Sequence, residues 1–389
     1  MTVAAGTVAT RTPPCRTWPK GSPPMSAADP LLELPYGTVP DPDAFLRAAI
    51  RWHFSKETGA PFWLDRVGRL DFDPIETIRT FDDLKRFPNV ANELREVRAE
   101  DLIPRGYGAR PEIVGVFDSG GTTGAPKRVV MLQEWLDMLL AHSDAQLDAH
   151  GVPRGTNWLL AIPSGPHMVG ASFQQLVAGR GGLAFAVDID PRWVKRIIAR
   201  GDRAEADAYT EHLVDQLQHP LRSQDIGVLM LTPPVLERLC RRDELVELVR
   251  EKVRAIMWVG TQLDPDTRHL YRTELFPDTV LCSGFGNTMT LGHVTERPGL
   301  GDDDPCVYDP FSPYMTYNVV DLEARRPVEY GERGRVVMHY VGKSLFLPNN
   351  VERDEATRIR PLPGQVGDSV ADIAPVREFD DEKVIEGVY

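Results

Sequence analysis

Short apolar runs alternate along this chain with longer stretches in which apolar side chains recur at helical spacing. Residues 132–150 place Leu132, Trp135, Leu136, Leu139, Leu140 and Leu147 near that spacing, with Gly151 available as a stop, and predict an amphipathic helix. An apolar run over 158–163 and another over 179–187 predict strands. Helices follow over 191–199, stopped by Gly201, and over about 204–218, stopped by Pro220. Residues 226–231 read as a buried strand, and Val235, Leu236, Leu239, Leu245, Leu248 and Val249 as the apolar face of the helix after it. A strand over 255–259 ends at Gly260-Thr261-Gln262. Asp264-Pro265 supplies an N-cap and first-turn proline for a helix ending near Phe276. The run 279–282 is a strand that opens into Ser283-Gly284-Phe285-Gly286-Asn287-Thr288-Met289. Alternation of this kind predicts an α/β fold.

Length and composition narrow the picture. A chain of 389 residues buries a large core and suggests two or three subdomains. Its formal charge of −13 argues against a nucleic-acid or anionic-membrane surface, since phosphate backbones call for clustered Lys and Arg. The pairs Arg241-Arg242 and Arg325-Arg326 lie among acidic residues. No apolar run approaches the roughly 18 residues of a membrane span. The first 28 residues, rich in Thr, Pro and Ala and lacking an apolar signal-peptide segment, are expected to be disordered or a mis-called start, with Met25 an alternative beginning. Cys15, Cys240, Cys282 and Cys306 show no CxxC spacing, which predicts reduced thiols in a cytoplasm and no zinc site.

Candidate chemistry is concentrated in Ser119-Gly120-Gly121-Thr122-Thr123-Gly124-Ala125-Pro126-Lys127. Three glycines let backbone N–H groups approach an anion, the three hydroxyls add donors, and Lys127 adds a positive charge. Apolar runs at 113–117 and 129–131 make the segment a loop between two strands. That setting and the spacing exclude a Walker A loop, which joins a strand to a helix and carries Gly-Lys-Ser/Thr. A generic Gly/Ser/Thr turn is the plain alternative.

The nine residues resemble, position by position, the phosphate-binding signature of adenylate-forming enzymes, the superfamily of acyl-CoA synthetases, peptide-synthetase adenylation domains and luciferase. The resemblance covers about residues 100–389. It implies the large N-terminal domain of that fold, with parallel and mixed sheets flanked by helices and a smaller β subdomain. The expected division is a helical or α+β segment over 29–110, an α/β adenylation core over 111–300 and a β-rich part over 301–389. ATP and Mg²⁺ are the implied cofactors, with the loop around the β- and γ-phosphates.

Further motifs carry the likeness. Ligands of parallel sheets bind beyond the carboxyl ends of strands, so the turns after 259 and 282 are expected to face one crevice. In the family the first, here Gly260, Thr261, Gln262 and Leu263, borders adenine. The second, here Ser283, Gly284, Phe285, Gly286, Asn287 and Thr288, touches adenine and the α-phosphate, with the Phe285 ring to stack and Thr288 to bond a phosphate oxygen. Met289 stands where the family has a metal-binding Glu, and a thioether does not replace a carboxylate on Mg²⁺, which leaves the metal ligand open. His167 matches an aromatic or His position that lines the acyl pocket, a packed histidine being the alternative. Asp354 resembles the ribose-binding Asp, with a surface Asp as the alternative. Residues 379–389 resemble the hinge that precedes a mobile lid, and the chain stops there.

Lidless members of the superfamily include griseoluteate-adenylating and benzoxazole-forming enzymes of secondary metabolism. Acyl-protein synthetases fit less well, because they use a cysteine near the C-terminus and none follows Cys306. The resemblance thus implies adenylation of a small aromatic acid, 3-hydroxyanthranilate on the benzoxazole analogy, and transfer to a small phenol or amine. Two alternatives stay open: a nucleotide-binding protein without catalysis, and an aryl-CoA ligase working with a separate lid protein. Neither nucleic acid nor membrane is an expected partner, and a homodimer stays open.

Overall fold

The computed structural model describes residues 28–119, 125–323 and 326–376, together with the backbone of 378–379 and 382–383. The expectations placed on residues 1–27, on Gly120, Gly121, Thr122, Thr123 and Gly124, and on most of the hinge lie outside these residues. An N-terminal layer of short turns surrounds one long helix, α1 (Pro42–Phe54), which Asp41 caps by accepting from the Ala44 N–H at 2.7 Å. Its buried face, with Phe45, Leu46, Ala49 and Ile50, joins a cluster that reaches Trp135, Tyr314 and Phe346 far along the chain.

Two antiparallel strands follow, β1 (Ile113–Asp118) and β2 (Arg128–Leu132), and the chain then enters α2 (Gln133–Ala149). The main sheet has six strands in the order β4-β3-β5-β6-β7-β8: β3 (Asn157–Ile162), β4 (Ala184–Asp188), β5 (Ile226–Leu231), β6 (Ala255–Val259), β7 (Val280–Asn287) and β8 (Gly292–Thr295). All neighbours are parallel except β7 and β8. Strand β5 is buried at every position, as a central parallel strand covered on both faces requires.

The helices that cover it are α3 (Met168–Gly179), α4 (Pro191–Ala199), α5 (Arg203–Ser223), α6 (Pro233–Leu239), α7 (Asp243–Lys252) and α8 (Pro265–Leu270). Asp190 caps α4 and Asp264 caps α8, each followed by proline at the first helical position.

Four details depart from the sequence pattern. Residues 168–179 are a helix; their apolar residues cover most of the surface, so no polar stripe marks the period. Pro220 lies inside α5 rather than ending it, and fully buried Leu221 anchors the last turn to the core. The helix expected after β5 is two helices, and Arg238 and Arg242 at the break both pair with Glu211 of α5. Strand β7 runs on through Asn287, so the turn falls at 288–291, where Leu291 takes φ 46°.

A second six-stranded sheet, antiparallel throughout, has the order β11-β10-β12-β13-β14-β9. Its strands are β9 (Val307–Tyr308), β10 (Met315–Asp321), β11 (Arg326–Pro327), β12 (Arg333–Val341), β13 (Phe346–Ile359) and β14 (Ser369–Pro375). One hydrophobic cluster contains residues of both large sheets, among them Leu281 and Val294 from the first and Tyr308, Tyr317, Met338 and Ile373 from the second. The two sheets are therefore walls of one core, and the face between them is where the candidate site lies. Among the described residues no helix is long and apolar enough to cross a membrane.

Candidate functional site

A cavity of about 310 Å³ opens beyond the carboxyl ends of β6 and β7. Its lining includes Ser119 and Lys127 at the ends of the glycine-rich loop, His167 at the start of α3, and Gly260 and Thr261 after β6. Gly284, Phe285, Gly286, Asn287, Thr288 and Met289 contribute from β7 and its turn, and Asp354 from β13. Residues far apart in sequence meet here because the parallel strands end on one side, while β13 and β14 bring the antiparallel sheet against them.

Each wall has a local cause. The loop is closed at its root by Ser119 and Lys127, whose backbones pair across it, continuing the β1–β2 ladder. Below that root Asp118 accepts from Arg192 of α4 at 2.6 Å and lies 3.2 Å from the Arg128 Nε. The Phe285 ring is fixed by Tyr308 and Tyr317 of the second sheet, at centroid distances of 5.6 and 6.0 Å. Gly284 is required where it stands, since a Cβ would come within 2.9 Å of Val259. Asn287 caps the following turn, its Oδ1 accepting from the Met289 N–H at 2.7 Å.

One expected ligand is elsewhere. Ser283 is fully buried behind the cavity, and its hydroxyl pairs with the Tyr308 hydroxyl at 2.5 Å. The same Tyr308 hydroxyl contacts the side chain of Gln262, which does line the cavity. Ser283 thus braces the site instead of facing it. Asp354 is on a strand, paired with Pro375, and not in a surface loop. His167 is buried, and burial together with the nearby Arg192 guanidinium lowers its pKa, so the imidazole is neutral at neutral pH.

Several lining residues carry no motif. Arg95 adds positive charge, as does Arg353 beside Asp354, and Met168, Val169, Phe173, Met257 and His293 also line the cavity. Beside Arg353 and Arg192 lies buried Lys195, whose amine is pushed down to about 6 by burial and then by those two guanidiniums. Phe173 and Met168 could have been found had the 168–179 helix been recognised. His293 is legible only through its register opposite Gly286.

The lining offers little to a hard cation. Asp354 is the one carboxylate among the described lining residues, and Met289 is buried with only a thioether to offer. No cluster of three or more metal-binding side chains occurs among the described residues. The donor set does not fit a protein-held Mg²⁺.

No protein-family model and no curated protein matches the sequence. Solved structures do match in fold. An open conformation of 2-hydroxyisobutyryl-CoA ligase, in complex with 2-HIB-AMP and CoA, superposes with a TM-score of 0.61 at 15% identity over 87% of this chain and 69% of that one. The same ligase in its thioesterification state gives 0.58 at 17% identity, covering 85% of this chain and 66% of that one. Its postadenylation state with 2-HIB-AMP also gives 0.58, at 15% identity, over 85% and 65% of the two chains. In backbone architecture, then, this chain is similar to about two thirds of 2-hydroxyisobutyryl-CoA ligase.

Proposed function

We propose that the chain is an ATP-dependent ligase that adenylates an aromatic carboxylic acid, with 3-hydroxyanthranilate the leading candidate, and passes the acyl group to a small phenol or amine. One observation carries the reading. The loop root, the turn after β6, the end of β7 and Asp354 line a single cavity, although sequence reasoning tied each separately to a different part of one nucleotide.

In this reading adenine lies between Gly260-Thr261 and the Phe285 ring, and Asp354 accepts from the ribose hydroxyls. The acid's carboxylate attacks the α-phosphorus and pyrophosphate departs, while negative charge grows where Lys127 and the loop donors can meet it. Thr288 bonds an α-phosphate oxygen. His167, neutral, borders the acyl group and accepts or donates a hydrogen bond without adding charge. Because the described lining supplies no carboxylate besides Asp354, which this reading gives to ribose, Mg²⁺ belongs to the substrate as MgATP, and no step is assigned to a protein-held ion.

The product is a mixed anhydride, open to displacement of AMP by a positioned nucleophile. None of the described cysteines lines the cavity, and burial raises the thiols of Cys240, to about 11, and Cys306, to about 12. Burial raises that of Cys282 as well. A described thiol is thus a poor acyl carrier, which favours an acceptor from solution.

Met289 also supports a second reading, a nucleotide-binding protein without catalysis. Incubation with MgATP and a panel of aromatic acids, with and without CoA, followed by pyrophosphate assay and mass spectrometry, separates the readings. AMP together with a coupled ester or amide in the absence of CoA supports the proposal. Thioester formed only with CoA makes the chain an aryl-CoA ligase. Nucleotide binding without pyrophosphate for every acid leaves the non-catalytic reading.

A further inference from the structure

The strands that carry the glycine-rich loop, β1 and β2, form a two-stranded sheet of their own, whereas the turn after β6 and the end of β7 belong to the main sheet. Among the described residues no strand ladder joins the two sheets, so the position of the loop over the cavity depends on contacts outside the ladders. At the loop end those contacts meet at Asp118, the last residue of β1. Its N–H donates to the Pro166 carbonyl at 2.8 Å, and Pro166 lies in the turn that leads from β3 to His167 and α3. Its carboxylate, 11% exposed, accepts from Arg192 Nη2 of α4 at 2.6 Å. Arg128, the other partner of that carboxylate, stands opposite Asp118 on β2. Arg128 thus ties the hairpin to itself, and Arg192 ties it to the layer of the main sheet.

The backbone beneath Arg192 is pinned. Asp190 caps α4 by accepting from the Arg192 and Trp193 N–H groups at 2.9 and 3.1 Å, and the Asp190 N–H donates to the Tyr209 hydroxyl of α5 at 3.0 Å. Pro191, just before Arg192, is buried. The guanidinium therefore reaches Asp118 from a fixed origin. Neither Asp118 nor Arg192 lines the cavity, so any effect of the pair on a ligand passes through the loop root, where Ser119 and Lys127 do line it.

Resting on the reading of 119–127 as the phosphate loop, we propose that Asp118 and Arg192 are positioning residues for the β- and γ-phosphates of ATP. Their ion pair sets the loop root at the height over the cavity that phosphate binding needs. Because the Asp118 N–H also holds the turn before His167, the phosphate side and the His167 wall share one anchor.

Binding of AMP and of α,β-methylene-ATP, which carries the further phosphates and resists cleavage at the α–β link, tests this by calorimetry in the presence of Mg²⁺. In the unaltered protein the triphosphate is expected to bind more tightly than AMP, and Lys127→Ala to reduce that advantage. Arg192→Gln removes a positive charge and weakens the triphosphate by charge and by positioning alike. Asp118→Ala separates the two causes: loss of a negative charge beside the loop would tighten the triphosphate, whereas loss of positioning weakens it, by about tenfold. AMP affinity should change less than about twofold in both variants, which also reports that they are folded. Arg128 still neutralises Asp118 in Arg192→Gln. The double variant should bind the triphosphate no more weakly than the weaker single one, since the pair acts as a unit. Arg192→Lys, which keeps the opposite charge, should recover part of the advantage.

Triphosphate binding that holds or tightens in Asp118→Ala, or losses that add in the double variant, would overturn the positioning role, while a loss in Lys127→Ala keeps the loop in its own. AMP and triphosphate weakened alike would make the pair a general support of the fold and overturn it as well. A triphosphate that binds the unaltered protein no better than AMP would remove the loop reading and the inference together.

Discussion

Ser119 and Lys127 hold each other twice: the Ser119 N–H donates to the Lys127 carbonyl at 2.8 Å, and the Lys127 N–H donates to the Ser119 hydroxyl oxygen at 3.0 Å. The backbone of Lys127 is thereby fixed by the hairpin root, and the residue lines the cavity. Both bonds are made by the Lys127 main chain and neither by its ammonium group.

Lys127→Ala is therefore expected to lower adenylation by about 10²–10³-fold, the usual effect of removing a donor aimed at developing charge. The melting temperature should scarcely move, since both backbone bonds persist. Pyrophosphate release and thermal unfolding, measured on the same preparation, check the split; wild-type release would remove the loop from the mechanism.

Asp354→Ala is expected to weaken AMP binding by about 1.5–3 kcal/mol, through loss of charge-assisted hydrogen bonds to ribose. Calorimetry with AMP reads it directly. Unchanged affinity would return Asp354 to the role of a polar strand residue.

Tyr308→Phe removes the hydroxyl that joins Ser283 to Gln262. Ser283 is wholly buried, so its hydroxyl would lose a partner that water cannot replace. Destabilisation of about 1–3 kcal/mol is expected. On the proposed reading, in which Gln262 borders adenine and not the reacting phosphorus, nucleotide KM should rise more than kcat falls. Urea unfolding and steady-state kinetics test the two halves.

Acid sensitivity has an identifiable source. His53 is fully buried and donates from Nε2 to the Gly342 carbonyl at 2.7 Å. Burial pushes its pKa down to about 4, against the opposing pull of that hydrogen bond. Between about pH 6.5, the unfolded value, and about pH 4, the unfolded chain binds a proton that the folded one refuses. The associated stability is complete above that window and is lost as pH falls through it. His53→Gln, which keeps a donor near the Nε2 position, should flatten the dependence of unfolding free energy on pH by about 1.4 kcal/mol per unit. Urea melts at about pH 7 and about pH 5 decide it; equal slopes for the two proteins would assign the sensitivity elsewhere.

Much of this architecture was legible because it obeys local rules. Asp264-Pro265 announced a helix start and Gly260 marked the end of a strand at the crevice, whereas β7 runs three residues past Gly284. What escaped depended on partners distant in sequence. The 168–179 helix is apolar around most of its surface, so periodicity could not separate it from a strand and loop. Pro220 looked like a terminator, but burial of Leu221 carries the helix past it. Ser283 sits in a recognisable motif, yet strand alternation turns its side chain inward to Tyr308. Lys195 belongs to no motif, and only the folded chain brings its charge beside that of Arg353.

The core shared by the two large sheets has a mechanical consequence. The cavity is walled by β6 and β7 on one side and by β13 and β14 on the other, and Phe285 is wedged against Tyr308 and Tyr317 where the two meet. Prising those walls apart would wet Tyr308, Tyr317, Met338 and Val294, an apolar area far costlier to expose than a small ligand could repay. The crevice accordingly works as a socket of fixed width and not as a jaw: ligands must fit the gap they find, and discrimination falls to the side chains that line it.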